Sequence, residues 1–218
     1  MHIKKNNFDR FFTGCAIFCL TLCAMLTPPI ITSCIIVAIT ACMVYEMIRM
    51  HQKKGLFFYS LIVWYPIVPA SIMFLMHASD TYRPLFWFVI LATFCFDTAS
   101  YCAGKLYSYW YTSTKIAPSI SPQKSWQGAI GGFIATTFFI NIIFSSLFIE
   151  QLFLYSLIFS STALVGDLFE SYIKRNAGVK DSGTLLASHG GFLDRFDAIL
   201  ATMTLSFFFK DYLMTILF

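Results

Sequence analysis

Between Ser161 and Asp197 the chain gathers five of its eleven acidic residues, four of its fifteen Lys and Arg residues and one of its four histidines. Charge so concentrated between apolar stretches asks for a chemical reason. At helical spacing, Asp167, Glu170, Ser171 and Lys174 fall three or four residues apart and share one face, while Leu168, Phe169, Tyr172 and Ile173 take the others. Asp194 and Asp197 repeat that spacing at the head of the next apolar run, with Ala198 and Ala201 continuing their stripe. A glycine-rich loop carrying Lys180, Asp181, His189, Gly190 and Gly191 joins the two runs. Carboxylates on two helix ends, with cations between them, make the donor set of a hard cation with a phosphate beside it.

The rest of the chain must hold this charge in place, and it is mostly apolar. Hydrophobic residues make up 58%, charged residues 12%, and the mean hydropathy is +0.71, against about a quarter charged in a soluble domain. The apolar runs are continuous rather than alternating, so the spanning elements are helices. The expectation is an all-α integral membrane protein, a polytopic bundle of about seven transmembrane helices near residues 11–26, 30–48, 56–76, 85–104, 127–149, 151–172 and 197–217. Residues 1–218 form a single transmembrane domain with no separate soluble unit, and no nucleic-acid partner is expected. Pro66 and Pro69 interrupt the third run. The seven cysteines lie inside apolar runs and read as small apolar packing residues rather than a disulfide framework. The basic N-terminus and the run after it read as a retained first helix, because Thr27-Pro28-Pro29 offers no small-residue cleavage site.

Cation placement sets the orientation. With the N-terminus cytoplasmic, thirteen of the fifteen Lys and Arg residues lie inside and only Arg83 and Lys210 outside. Asp97, Lys124 with Trp126, Asp167 to Lys174 and Asp194 to Asp197 then meet at the cytoplasmic face, where a soluble anionic substrate is available. Glu46, near the same face, reads as a capping or snorkelling carboxylate. Lys210 and Asp211 read as interfacial or pairing residues.

The pattern Ser171-x-x-Lys174-Arg175-x4-Lys180-Asp181-x-Gly183-x5-His189-Gly190-Gly191-x-x-Asp194-Arg195-x-Asp197 resembles the signature of the phosphatidate cytidylyltransferases, also called CDP-diacylglycerol synthases. Two more elements are similar to that family: Ser121-Pro122-Gln123-Lys124-Ser125-Trp126-Gln127-Gly128 with Gly131-Gly132, and Asp97-Thr98-Ala99-Ser100-Tyr101 with Gly104-Lys105. Together they cover residues 97–197. Gln123 stands where the family pattern has Lys, Gln127 where it has Glu, and Ala187 where Pro or Gly is preferred.

The resemblance implies transfer of a cytidylyl group from CTP to phosphatidate, giving CDP-diacylglycerol and pyrophosphate for phospholipid synthesis. It implies magnesium, one ion or two, held by Asp167, Asp194 and Asp197, with Asp167, Lys174, Asp194 and Asp197 catalytic. Asp97, Lys124, Ser171, Arg175, Lys180, Asp181, His189, Gly190, Gly191 and Arg195 are the implied substrate-binding residues. The glycine pair would let backbone donors approach phosphate closely. A homodimer in the bacterial inner membrane, with its site facing the cytoplasm, follows from the same resemblance. The alternatives are a CTP-dependent enzyme acting on another lipid phosphate, an enzyme like the polyprenol kinases, or a transporter. The last would place its charges near the membrane midplane instead of at one face.

Overall fold

The computed structural model describes residues 21, 23–50, 60–144, 147–186 and 190–218. Seven helices and a two-stranded ribbon follow one another among them: α1 Pro29–Met50, α2 Val68–Ala78, α3 Arg83–Trp110, β1 Lys115–Ala117, β2 Ser121–Ser125, α4 Trp126–Ile143, α5 Ile149–Asn176, α6 Leu193–Phe208 and α7 Lys210–Leu217. Five helical stretches among the described residues are long and apolar enough to cross a membrane, the second running Ser60–Ala78, and α6 with α7 makes a sixth if the bent pair counts as one span. The chain is a multi-pass, all-α membrane protein. The expected run at 11–26 falls almost wholly outside the described residues.

One expectation is corrected. The last run is not one straight span: α6 and α7 meet at 85° across Phe209. Apolarity alone does not encode a bend. Beyond the break, α7 is tied to the residue before α3, since the Tyr82 hydroxyl donates to Asp211 Oδ1. A short ribbon lies in the connection between α3 and α4. Lys115 pairs with Ser125 and Ala117 with Ser121 in an antiparallel ribbon.

Pro66 takes effect as a π-helical segment, Val63–Ile67, within the helical stretch Ser60–Ala78, and Pro69 follows in the first turn of α2 directly after it. The core is built from α1, α2, α3 and α6, with Met43, Met47, Met76, Leu85, Phe86, Leu193, Leu200 and Met203 fully buried. Thr93 and Thr202 tie α3 to α6 through a 2.9 Å hydroxyl contact.

Helix α4 shows the inverted pattern that lipid demands. Gly128, Gly132, Thr136 and Ile140 are buried, while Ile130, Ile134, Phe138 and Ile142 are exposed on the opposite face. Small residues inside let backbones approach, and large apolar residues outside meet hydrocarbon. A Cβ at Gly132 would lie 2.8 Å from the Phe96 ring and one at Gly128 2.8 Å from the Ser100 carbonyl, so α4 packs hard against α3. Cysteines follow the same rule in part. The five described ones are free, but Cys23, Cys34 and Cys102 are exposed rather than buried.

Candidate active site

Close packing of α3 on α4 puts Asp97 beside the strand that carries Lys124. Ser125 caps α4 by accepting the Gly128 N–H at 3.2 Å, which fixes the end of β2 and hence the position of Lys124. Gln127 holds the other strand's approach, accepting the Thr114 N–H at 3.2 Å and donating to Thr114 Oγ1 at 2.8 Å. Lys124 then forms an ion pair with Asp167 of α5. Burial disfavours its ammonium, yet Asp167 and Asp97 outweigh that and hold its pKa above the ordinary lysine value. Asp197 of α6 lies within electrostatic reach of Asp167, Glu170 and Asp97. Asp97 Oδ1 is buried with no hydrogen-bond partner among the described residues.

Two turns further along α5, Lys174 pairs with Glu170 in its own helix and with Asp194 Oδ1 at 2.6 Å on α6. Glu170 is wholly buried. The second Asp194 oxygen takes three donors: Ser182 N at 2.9 Å, Ser182 Oγ at 2.9 Å and Gly191 N at 2.8 Å. Asp194 therefore ties the loop to α6 and α5 at once.

Glu46 does the matching work from α1. Helix α6 begins without a side-chain cap of its own. Glu46, 1% exposed, supplies one from across the bundle by accepting Phe192 N and Leu193 N at 3.0 Å each and Ser182 Oγ at 3.1 Å. The capping reading of Glu46 is the right one. The loop can wrap these carboxylates only because it is glycine-rich. Gly190 has φ +83°, and a Cβ there would sit 2.6 Å from Asp194 Oδ2.

Some expected roles change. The Gly191 N–H goes to Asp194, not to an open phosphate pocket. Arg175 is exposed and uses two of its five N–H donors on backbone carbonyls, Nε donating to Ile120 and Nη1 to Val179, both at 3.0 Å, and so clamps the ribbon to the end of α5. Asp167, Asp194 and Asp197 are not gathered as a trio: no three of His, Cys, Asp and Glu among the described residues stand together as a metal site, because Asp194 is drawn to Lys174 and the loop. Ser171 is buried beside Lys174, while Lys180, Asp181 and Arg195 are exposed at the loop and the first turn of α6. Arg195 acts electrostatically on Asp97. His189 lies outside the described residues.

Sequence reasoning gave no role to Ser182 or Tyr65 and left Glu170 as a member of a face. The i, i+4 spacing of Glu170 and Lys174 was the available signal for the last.

Fold and site together define a multi-pass membrane protein with two lysines, Lys124 partly exposed and Lys174 buried, each paired with carboxylate at the ends of helices. The family model described as "Cytidylyltransferase family" matches residues 2–213. The chain belongs to that family. It is 33% identical over 156 residues to a phosphatidate cytidylyltransferase of Rickettsia conorii, covering 67% of this chain and 66% of that protein. It is 30% identical over 225 residues to the enzyme so named in Rickettsia prowazekii, covering 96% and 94%. With the one from Thermotoga maritima it shares 37% identity over 128 residues, 55% of this chain and 46% of that protein. The matched stretch thus spans about two thirds of the length of the Rickettsia conorii relative and nearly all of the Rickettsia prowazekii one.

Proposed function

We propose that the chain transfers the cytidylyl group of CTP to phosphatidate, releasing pyrophosphate and leaving CDP-diacylglycerol in the membrane. A phosphate oxygen of phosphatidate forms a bond to the α-phosphorus of CTP, and the bond from that phosphorus to the β-phosphate oxygen breaks. The nucleophile is already anionic at neutral pH, so the difficulty is electrostatic: several negative charges must be brought together. The observation that carries the reading is the parking of Lys124 on Asp167 and of Lys174 between Glu170 and Asp194. Each ammonium is charged and positioned, and each can exchange a carboxylate oxygen for a phosphate oxygen. Glu46 and Ser182 keep the loop and α6 in register while that exchange occurs.

Magnesium fits this donor set in its usual mode, which takes one or two carboxylates plus substrate phosphates rather than a full protein cage. Asp167 and Asp197, neighbours across α5 and α6, would hold it, and the buried Asp97 Oδ1, without a hydrogen-bond partner among the described residues, adds hard-oxygen character nearby. Bound there, it would neutralise charge on the leaving pyrophosphate. The excess of Lys and Arg on one side supports a cytoplasmic site in a bacterial inner membrane. A homodimer is part of the proposal through family membership alone.

The test is incubation of the purified full chain in detergent with CTP, magnesium and phosphatidate while pyrophosphate is followed. Release is expected from the native chain and about a hundredfold less from Asp167→Asn. Equal rates from both would remove Asp167 from the chemistry, and no release from the native chain would overturn the reading.

A further inference from the structure

Tyr65 sits in the π-helical segment Val63–Ile67, next to Pro66, outside every motif that led to the active site. It is 7% exposed, and its hydroxyl is buried with no hydrogen-bond partner among the described residues. A phenylalanine would fill the same space without the cost of an unpaired buried hydroxyl, so the oxygen needs a reason. The ring lies edge-on to Phe169, centroids 5.2 Å apart, and Phe169 stands between Asp167 and Glu170 on α5. The hydroxyl is within electrostatic reach of Asp197, Glu170, Asp167 and Asp194.

Those carboxylates have other contacts: Asp167 pairs with Lys124, Glu170 Oε2 and Asp194 with Lys174, and Asp197 Oδ1 accepts the Ala198 N–H at 2.8 Å, while Glu170 Oε1 has no hydrogen-bond partner among the described residues. A buried donor that is bonded to none of the described residues, on a ring packed against Phe169 beside these carboxylates, is placed for an acceptor that arrives from elsewhere. A π-helical turn, which shifts one residue of a helix out of the regular ladder, is a common way to aim such a side chain.

We propose that Tyr65 is a substrate-binding residue whose phenolic O–H donates a hydrogen bond to a phosphate oxygen of a substrate drawn between Lys124 and Lys174. The inference rests on the cytidylyltransferase reading. The oxygen belongs either to the lipid phosphate, which enters from the membrane side where the Ser60–Ala78 helix lies, or to the CTP triphosphate.

The experiment uses Tyr65→Phe in the full chain, which keeps the ring and its contact with Phe169. CTP is titrated at saturating phosphatidate and phosphatidate at saturating CTP. KM for one of them is expected to rise about tenfold, the loss of one hydrogen bond to a charged oxygen, and the substrate whose KM moves is the one bound. The unfolding midpoint without substrate should stay level or rise, since an unpaired hydroxyl has gone. In parallel, the shift in unfolding midpoint on adding CTP or phosphatidate alone is compared between native chain and variant, a readout that needs no turnover. Unchanged KM values together with unchanged ligand shifts would overturn the proposal while leaving the enzyme intact. A native chain without turnover would sink the activity reading, yet a ligand shift reduced in Tyr65→Phe would still uphold the binding role. No ligand shift in the native chain would overturn both.

Discussion

Lys174 reaches from α5 to Asp194 on α6, Nζ to Oδ1 at 2.6 Å, and its other side is occupied by Glu170 of its own helix. One ammonium thus serves two carboxylates, of which Glu170 is wholly buried. Lys174→Met would leave that buried charge without its cation, at a cost of about 3–5 kcal/mol. Pairing it with Glu170→Gln should return part of the loss, because a neutral amide needs no counter-ion. Chemical unfolding in detergent of the single and double variants measures this, and a double variant no more stable than the single would refute the shared-lysine account.

Glu46→Gln keeps the size of the side chain but replaces one acceptor oxygen with a donor. Phe192 N, Leu193 N and Ser182 Oγ now share Glu46's two oxygens, so one donor would be left facing another. About 1–3 kcal/mol of stability should be lost, with faster proteolysis in the loop before α6. Limited proteolysis with mass analysis of the fragments checks it, and cleavage no faster than in the native chain would mean that Glu46 does not anchor the loop.

Gln127→Glu restores the residue usual in the family pattern, yet no gain in activity is expected. The amide spans Thr114, accepting from its N–H and donating to its hydroxyl, and a carboxylate cannot donate. The variant should show an unchanged magnesium dependence and lose no more than about 1 kcal/mol. A magnesium titration that shifted to lower concentration would reassign position 127 to the metal.

Lys124 carries a testable sign. Its folded pKa stands above the ordinary value of 10.5, so its pairing contributes stability that is complete below that value and is lost as pH rises through the folded pKa. The native chain should lose stability on the alkaline side, and Lys124→Met should flatten that fall. Unfolding midpoints from about pH 8 to about pH 12 report it, and parallel curves for the two proteins would contradict the pairing.

Much of this architecture could be read from the chain itself because lipid imposes continuous apolar runs, and helical spacing placed Asp167, Glu170, Ser171 and Lys174 on one face. What stayed hidden depends on residues far apart in sequence. Glu46 and Ser182 meet across 136 positions, and nothing local marks Ser182 as the bridge to Asp194. Nothing local marks Arg175 as the clamp between the carbonyls of Ile120 and Val179. The bend at Phe209 and the short ribbon before α4 escaped for a similar reason, since neither alters the hydropathy that defines a span.

The central claim is that the α-phosphate of CTP goes to the lipid. Two reactions of the full chain with phosphatidate and magnesium, one with CTP labelled in the α-phosphate and one labelled in the γ-phosphate, decide it. The account predicts that the α label enters the lipid and the γ label appears in pyrophosphate, with both lost in Asp167→Asn. Transfer of the γ label to the lipid, with CDP as the soluble product, would make the protein a kinase and contradict it.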